Sequence, residues 1–321
     1  MQVAVVMPCY NSGKQIINLI SEIPECVTHI YCVDDACPEE TGTLLQQKCH
    51  DSRIRILHHE KNQGVGGAMV TGYKQALQDG ADIIIKLDSD GQMDPGLIPR
   101  FIAPIVAEEA DYTKGNRFYR LESLTGMPGL RLCGNAVLSF MSKFSTGYWR
   151  LFDPNNGFTA IHAKVLKLIP LSKISHDYFF ESDMLFRLNT LRAVVIDIPM
   201  NAKYGDENSS LNIHKNIFIF LYKHLRNFAK RIFYNYYLRD FNVASIEWLA
   251  GPLLLFFGVC YGSLEWAQSI SQGTAATAGT VMLAALPTLI GIQLTLSAMS
   301  YDIENTPAIP LSKLLNSRRV V

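Results

Sequence analysis

The segment "IIIKLDSDGQMDP", residues 83–95, changes within a few positions from an apolar run to a row of acidic and amide side chains. Its first residues are typical of a strand that is buried on both faces, as in parallel sheets. If the chain stays extended beyond them, Asp88, Asp90, Gln92 and Asp94 project from one side. Clustered carboxylates repel one another unless a cation lies between them. The segment therefore predicts a buried strand that ends in an oxygen-ligand site for Mg²⁺ or Mn²⁺.

The first half of the chain repeats this arrangement of a strand, a polar end and a helix. Strands are predicted over 3–7, 30–33, 54–57 and 83–87, and helices over 13–23, 41–50, 66–78 and 96–108. This alternation predicts a mostly parallel sheet with helices on both faces. Ligands bind such sheets outside the carboxyl ends of the strands, so we expect the four polar strand ends to form one crevice.

Two of these polar ends indicate recognition of a nucleotide. Asp34 and Asp35 follow the second strand and offer acceptors for a ribose or for a base N–H. The glycine-rich "NQGVGG", which includes Gly67, opens the third helix, where glycines permit close approach of a ligand and the helix N-terminus favours anions. Met69 stands where a dinucleotide-binding fingerprint requires its third glycine, and the Lys-Ser/Thr of a phosphate-binding loop is absent, so a nicotinamide enzyme and an ATPase are both disfavoured.

The last third of the chain differs in composition. Residues 213–239 mix Phe and Tyr with Lys and Arg at helical spacing, which is typical of an interfacial amphipathic helix. Residues 243–267 and 275–300 are apolar and exceed the roughly 20 residues that cross a bilayer. Basic residues flank this pair on its outer sides, which predicts a membrane hairpin with the catalytic domain and both termini in the cytoplasm. A buried helix pair of a globular protein is the alternative.

Other partners follow from charge and residue size. The formal net charge of zero gives no support for nucleic-acid binding. Small residues in the second apolar segment, Gly279, Ala284 and Ala285, permit close helix packing and therefore a homo-oligomer.

The motifs together resemble a known enzyme family. "VVMPCYNSG", "VDDACPEETG", "NQGVGGAMVTGY" and "IIIKLDSDGQMDP" resemble, in order, the motifs of family 2 glycosyltransferases. "KGNRF", "GLRLCGNAVLSF" and "DPNNGF" extend the resemblance to polyprenyl-phosphate glycosyltransferases. The resemblance implies an α/β GT-A fold, which is Rossmann-like, followed by juxtamembrane helices and a two-helix transmembrane hairpin.

The resemblance also assigns roles to the residues that match the motifs. By this resemblance Pro8, Tyr10 and Asn11 would line the nucleotide pocket and Asp35 would face the base; Asp34 and Gly67 are assigned to the same pocket from their positions described above. Asp88, Asp90 and Gln92 hold the metal and the donor diphosphate.

The acceptor side is assigned in the same way. By the same resemblance, Arg117 and Arg131 would bind the acceptor phosphate. Lys203 lies near the position of a further arginine in the family. If the acceptor is instead a sugar hydroxyl, a general base is required, and Glu181 and Asp183 are the candidates.

The sequence thus predicts inverting transfer of a hexose from a UDP- or GDP-sugar to polyprenyl phosphate at the membrane surface, in contact with membrane lipids. The predicted division is a catalytic domain over 1–211, juxtamembrane helices over 212–241, two transmembrane helices over 242–301 and a cytoplasmic tail over 302–321. Two alternatives remain: a family 2 transferase acting on a lipid-linked glycan, and a non-catalytic module that binds nucleotide sugars.

Overall fold

The computed structural model describes residues 1–12, 15–119, 129–201 and 213–317. The strands β1 to β7 are, in chain order, Val3–Cys9, His29–Asp34, Ile54–His58, Ile83–Lys86, Tyr112–Asn116, Thr159–His162 and Val195–Pro199. The helices α1 to α11 are Gln15–Ser21, Thr41–Lys48, Gly64–Gln78, Ile98–Val106, Gly129–Thr146, Ala163–Leu166, Phe180–Thr190, Ile213–Phe233, Val243–Gln272, Ala278–Glu304 and Leu311–Ser317. The chain forms two compact units, one of Met1–Phe228 with Pro307–Val321 and one of Ala229–Thr306.

The first unit is built on one seven-stranded sheet in the order β3-β2-β1-β4-β6-β5-β7. Strands β3, β2, β1 and β4 are parallel neighbours, which confirms the predicted mostly parallel sheet. Strand β6 is antiparallel to both β4 and β5, and its first residue, Thr159, pairs with Lys86 at the end of β4. The segment that precedes β6 therefore lies beside the carboxyl end of β4, at the edge where the site was expected.

The isoleucine run of β4 packs into two hydrophobic clusters, one on each face of the sheet. Ile83 and Ile85 pack into the cluster that includes Phe101 of α4, and Ile84 packs into the cluster on the opposite face. Alternate residues of a strand point to opposite faces, so a strand covered by helices on both sides must be apolar throughout. The same alternation directs Lys86 toward the face of Ile84, where α3 and α7 pack.

Helix α8 has one buried face and one exposed face, which accounts for the mixed composition of its sequence. Within the first unit, His224 and Asn227 are buried, and the His224 ring Nδ1 lies 2.7 Å from Ser145 Oγ. Phe218 and Tyr222 lie on the outer face with exposed fractions of 77% and 66%. The helix therefore presents aromatic side chains outward, as an interfacial helix does.

The second unit contains the two long apolar helices. Helices α9 and α10 each have a mean hydropathy of 1.8 over their most apolar window, yet only 22% and 11% of those windows are buried. The core helix of a soluble protein would be mostly buried, so α9 and α10 are candidate membrane spans. They pack against each other at small residues, because a Cβ on Gly291 would lie 2.4 Å from the Leu255 nitrogen.

An ion pair joins the start of this unit to the end of α10. Arg231 is 1% exposed, and its two terminal nitrogens lie 2.6 and 2.9 Å from the carboxylate oxygens of Asp302. The Tyr236 hydroxyl donates to the same carboxylate at 2.7 Å. Charge-assisted and bidentate bonds of this kind are stronger than neutral ones, so the cluster fixes the chain before α9 to the end of α10.

Helix α11 returns to the first unit. The backbone N–H groups of Leu311 and Ser312, at its start, each donate to the buried carboxylate of Asp111 at 2.7 Å. A carboxylate at a helix N-terminus satisfies N–H groups that have no partner within the helix. The chain thus passes from the first unit into the second after Phe228 and returns to the first at Pro307.

Candidate active site

The acidic row after β4 does not continue as an extended strand. The chain turns at Ser89 and Asp90, and Gly91 adopts a positive φ of 74°. Asp90 accepts a hydrogen bond from the Gln92 N–H at 2.9 Å, and Asp94 caps a short 3₁₀ helix by accepting from Gly96. The prediction that all four side chains project from one side of an extended segment is therefore wrong, and Asp94 has a structural role.

Lys86 occupies the centre of the site, and the sequence analysis had not assigned it a role. Its ammonium nitrogen lies 2.5 Å from Asp88 Oδ1 and 3.1 Å from Glu181 Oε1 on α7. Burial would lower the pKa of this lysine, but the two carboxylates outweigh burial and raise the pKa above its ordinary value. The two carboxylates therefore favour the charged form of Lys86 inside the site.

The segment before β6 closes over this ion pair. A Cβ added to Gly157 would lie 2.2 Å from Asp88 Oδ2 and 2.5 Å from Lys86 Nζ. Only glycine allows the backbone to approach that closely. A second buried lysine, Lys114 on β5, donates to the Asn156 carbonyl, and burial lowers its pKa to about 8. The "DPNNGF" motif therefore forms one wall of the site.

The oxygen donors at this site suit a divalent cation that also binds phosphate. In the described parts of the chain, no three or more His, Cys, Asp or Glu side chains cluster as metal ligands. Mg²⁺ ordinarily takes only one or two protein carboxylates and completes its shell with substrate phosphates and water. Asp88, with 28% side-chain exposure, Asp90 and Gln92 are all half-buried, so their oxygens are of the type and accessibility that such an ion needs; their role as its ligands stays a prediction.

Hydrogen bonds join the end of β1 to the acidic turn. Ser12 Oγ lies 2.5 Å from Ser89 Oγ, and Ser89 Oγ donates to the Pro8 carbonyl at 2.8 Å. Tyr10 is 49% exposed at the same edge, and Asn11 has a positive φ of 53°. The structure thus brings together three of the predicted nucleotide-pocket residues, Pro8, Tyr10 and Asn11, and the predicted metal ligands.

The two acids after β2 hold backbone segments in place. Asp34 accepts from the N–H groups of Cys37 and Gly42 at 2.8 and 2.7 Å. Asp35 accepts from the N–H groups of Gln63 and Gly64, both at 2.8 Å, and its Oδ1 lies 2.6 Å from the His59 ring. Both acids are buried, so the contact of Asp35 with a base stays a prediction.

The glycines at the start of α3 face protein backbone. The Gly66 N–H donates to the His176 carbonyl at 2.8 Å, and a Cβ on Gly66 would lie 2.1 Å from the Ser175 carbonyl oxygen. Gly67 packs near Gln63, with 2.6 Å between an added Cβ and that side chain. These glycines let α3 approach the segment before α7, which accounts for them without a ligand.

The predicted acceptor residues are only partly described. Arg117 makes a two-point contact with buried Asp153, with Nε–Oδ2 and Nη2–Oδ1 distances of 2.7 and 3.1 Å. Arg131 lies on α5, but its side chain is outside the described residues, as is Lys203. The role of these three cations stays a prediction.

The two candidate bases on α7 differ sharply in position. Asp183 accepts from the Ser175 N–H, from Arg187 and from Asn227, at distances from 2.9 to 3.2 Å. Its hydrogen bonds hold α7 to the surrounding chain. Glu181 is the member of the pair that reaches the acidic site, through Lys86. No local sequence signal distinguishes the two; only the long-range packing of α7 against β4 does.

Comparisons with known proteins agree with this architecture. A model described as glycosyl transferase family 2 matches residues 4–169, which carry β1 to β6 and the acidic turn. A UDP-N-acetylglucosamine–dolichyl-phosphate N-acetylglucosaminyltransferase of Methanococcus voltae is 27% identical, over 63% of this chain and 85% of that protein. An undecaprenyl-phosphate mannosyltransferase of Micrococcus luteus is 28% identical, over 62% of this chain and 83% of that protein.

A solved structure extends the comparison to the fold. Glucosyl-3-phosphoglycerate synthase of Mycobacterium tuberculosis, crystallised with Mn²⁺, UDP and phosphoglyceric acid, matches with a TM-score of 0.54 at 16% identity. The match covers 72% of this chain and 78% of that one. The predicted GT-A fold is therefore confirmed.

Proposed function

The chain belongs to glycosyl transferase family 2, and we propose that it is an inverting, metal-dependent enzyme that transfers a hexose from a UDP- or GDP-sugar to polyprenyl phosphate. One observation carries the proposal. A single chain combines an acidic site at the end of β4 with an apolar helix pair in a second unit, and the chain both enters and leaves that unit from the unit that carries the site. A long-chain lipid phosphate stays in the bilayer, so its transferase must be held at the membrane.

The connectivity supports a hairpin. The chain enters the second unit from the first unit at Ala229 and returns to the first unit at Pro307, so if α9 and α10 span a bilayer we propose that both ends of the pair lie on the same side. We propose that this side is the cytoplasm, as the basic residues before α9 favour. The same proposal keeps 1–211 as the catalytic domain, 212–241 as the juxtamembrane part, 242–301 as the membrane part and 302–321 as the tail.

The donor would bind at the ends of β1 and β4. Pro8, Tyr10 and Asn11 would contact the nucleoside, and Asp88 and Asp90, with Gln92, would hold Mg²⁺ or Mn²⁺. That ion, when bound, neutralises charge on the diphosphate leaving group. The turn at Ser89 would fix the positions of the two carboxylates. The segment that contains Gly157 would exclude water from the site.

The acceptor needs little activation. A phosphate monoester has a second pKa near 6, so polyprenyl phosphate is already a nucleophile near neutral pH. Cations must position it, and Arg117, Arg131 and Lys203 are the residues we propose. Asp153 holds the Arg117 guanidinium in one orientation, which reduces the entropy lost when it contacts a phosphate. A general base is not required, and Glu181 is already paired with Lys86.

The proposal is tested with the full-length protein in detergent. Protein with Mn²⁺, undecaprenyl or dolichyl phosphate and radiolabelled UDP- or GDP-sugars should yield an acid-labile glycolipid. Asp90→Ala should abolish the product while the protein stays folded. Asp94→Asn is the matched control, because Asp94 lies in the same loop but only caps a 3₁₀ helix and Asn caps equally well.

Each outcome decides between the candidates. Formation of glycolipid only when a lipid-linked glycan is supplied would replace the proposal with a family 2 transferase that acts on a hydroxyl. No turnover with any nucleotide sugar would indicate a non-catalytic module. Full activity of Asp90→Ala would contradict the metal assignment.

A further inference from the structure

The buried lysine between two carboxylates has no part in the mechanism above. Lys86 is 1% exposed, and its ammonium group contacts Asp88, a proposed metal ligand, and Glu181, which the mechanism does not use. Burial of a lysine on a strand costs free energy unless its charge is paired. An apolar residue would fill a purely structural role at a lower cost in free energy.

We propose that Lys86 is a positioning residue that makes metal binding depend on the nucleotide-sugar donor. In the free enzyme the ammonium group holds Asp88. When the divalent cation arrives with the donor diphosphate, the ammonium group keeps its contact with Glu181, gives up its contact with Asp88 and releases Asp88 to the metal. This inference rests on the proposed function and adds a regulatory step to the same site.

The geometry restricts where the ammonium group can go. The wall formed by Gly157 leaves no room on one side, since even an added Cβ there would lie 2.5 Å from Lys86 Nζ. Retreat to solvent is closed because the side chain is buried. Glu181 Oε1, at 3.1 Å, is the second carboxylate that contacts the ammonium group in the described structure. A short displacement therefore gives up the contact with Asp88 without leaving a buried charge unpaired.

The charges at the site make the release of Asp88 to the metal depend on the donor diphosphate. A cation on Asp88 competes with the ammonium group for the same carboxylate, so the metal alone binds weakly. A diphosphate adds negative charge beside the metal and shifts the competition for Asp88 in favour of the metal. Because linkage is reciprocal, the nucleotide also binds more tightly when the metal is present.

The test measures Mn²⁺ binding by electron paramagnetic resonance on the full-length protein in detergent, with and without UDP or GDP. Lys86→Met/Glu181→Gln removes the ion pair without changing net charge. It should bind Mn²⁺ alone about tenfold more tightly than the wild type, and added nucleotide should improve its affinity less. Glu181→Gln alone leaves the ammonium group only Asp88 and should weaken Mn²⁺ binding.

The two variants are expected to change the affinity for Mn²⁺ in opposite directions. This difference separates the proposed role of Lys86 from a purely structural one. Simple loss of structure would weaken Mn²⁺ binding in both variants, and charge at a distance would leave the double variant unchanged; either result overturns the inference. Arg55→Met removes a cation whose partner is Asp79, remote from the acidic turn, and should keep the wild-type affinity. Should the double variant fail to fold, Lys86→Gln/Glu181→Gln removes the same two charges and takes its place, and unchanged or weaker affinity of that variant for Mn²⁺ alone overturns the inference.

Asp88→Asn distinguishes failure of the inference from failure of the proposed function. If this variant binds Mn²⁺ as the wild type does, the metal site is not at Asp88 and the proposed function loses its metal assignment. If it loses Mn²⁺ while the double variant shows no gain, only the role of Lys86 is refuted.

Discussion

Gly157→Ala is predicted to disable the site by displacing one carboxylate. The added Cβ would lie 2.2 Å from Asp88 Oδ2 and 3.0 Å from the Met93 methyl carbon. Ordinary contacts of a Cβ begin at 3.4 Å, so Asp88 or the Gly157 backbone must move by about 3.4 − 2.2 = 1.2 Å. The backbone is held on both sides, because the Phe158 N–H donates to Asn156 Oδ1 and β6 begins at Thr159. Asp88 is therefore displaced, together with the Lys86 ammonium group, which the added Cβ would approach to 2.5 Å.

A displacement of about 1 Å in a positioned group costs about 10²-fold in rate, which corresponds to roughly 2.7 kcal/mol of transition-state stabilisation. We expect kcat/KM for glycolipid formation by Gly157→Ala to fall by that factor, with the thermal unfolding midpoint nearly unchanged. Gly279→Ala is the matched control, because the nearest atom to its added Cβ is 3.8 Å away. Wild-type kcat/KM in Gly157→Ala would refute the assigned position of Asp88.

Three further predictions concern stability and topology. Arg231→Leu leaves the Asp302 carboxylate buried without its cation and should cost about 3–5 kcal/mol, seen as a lower thermal unfolding midpoint that Arg231→Leu/Asp302→Leu largely restores. Burial raises the pKa of Asp197 from 3.8 to about 6, so the folded state holds its proton more tightly than the unfolded chain. Stability from this group is present below about pH 4 and lost as pH rises through about 6, and Asp197→Asn should reduce the difference in midpoint between about pH 5 and pH 7.5. Finally, an impermeant maleimide applied to intact cells should label Thr274→Cys, at the turn of the hairpin, and should not label Ser317→Cys; the reverse pattern would invert the proposed orientation.

The sequence was sufficient to predict the four parallel strands β1 to β4 and the edge that carries the site, whereas β5, β6 and β7 were not predicted. Strand β4 needs apolar residues at consecutive positions because it packs against two cores, and this requirement is visible in the isoleucine run. The polar residues at the ends of β1 and β4 were predicted to meet, and the contact between Ser12 and Ser89 shows that they do. These features depend on periodicity and on the direction of parallel strands, which local sequence encodes.

The errors and omissions have a different physical origin. The turn at Asp90 depends on the positive φ of Gly91 and on a hydrogen bond between neighbours, which compete with an extended conformation. The pairing of Lys86 with Glu181 joins residues far apart in sequence, and only the packing of α7 against the sheet brings them together. A lone lysine at the end of an apolar strand was the available signal, and it indicates a buried partner without identifying it.

The most direct test of the account is a structure of the full-length protein determined with Mn²⁺ and UDP or GDP. The account predicts one metal ion bound to oxygens of Asp88 and Asp90 and to the nucleotide diphosphate, with the Lys86 ammonium group still paired to Glu181 and no longer to Asp88. A diphosphate bound elsewhere, with Asp88 still paired to Lys86, would contradict the account.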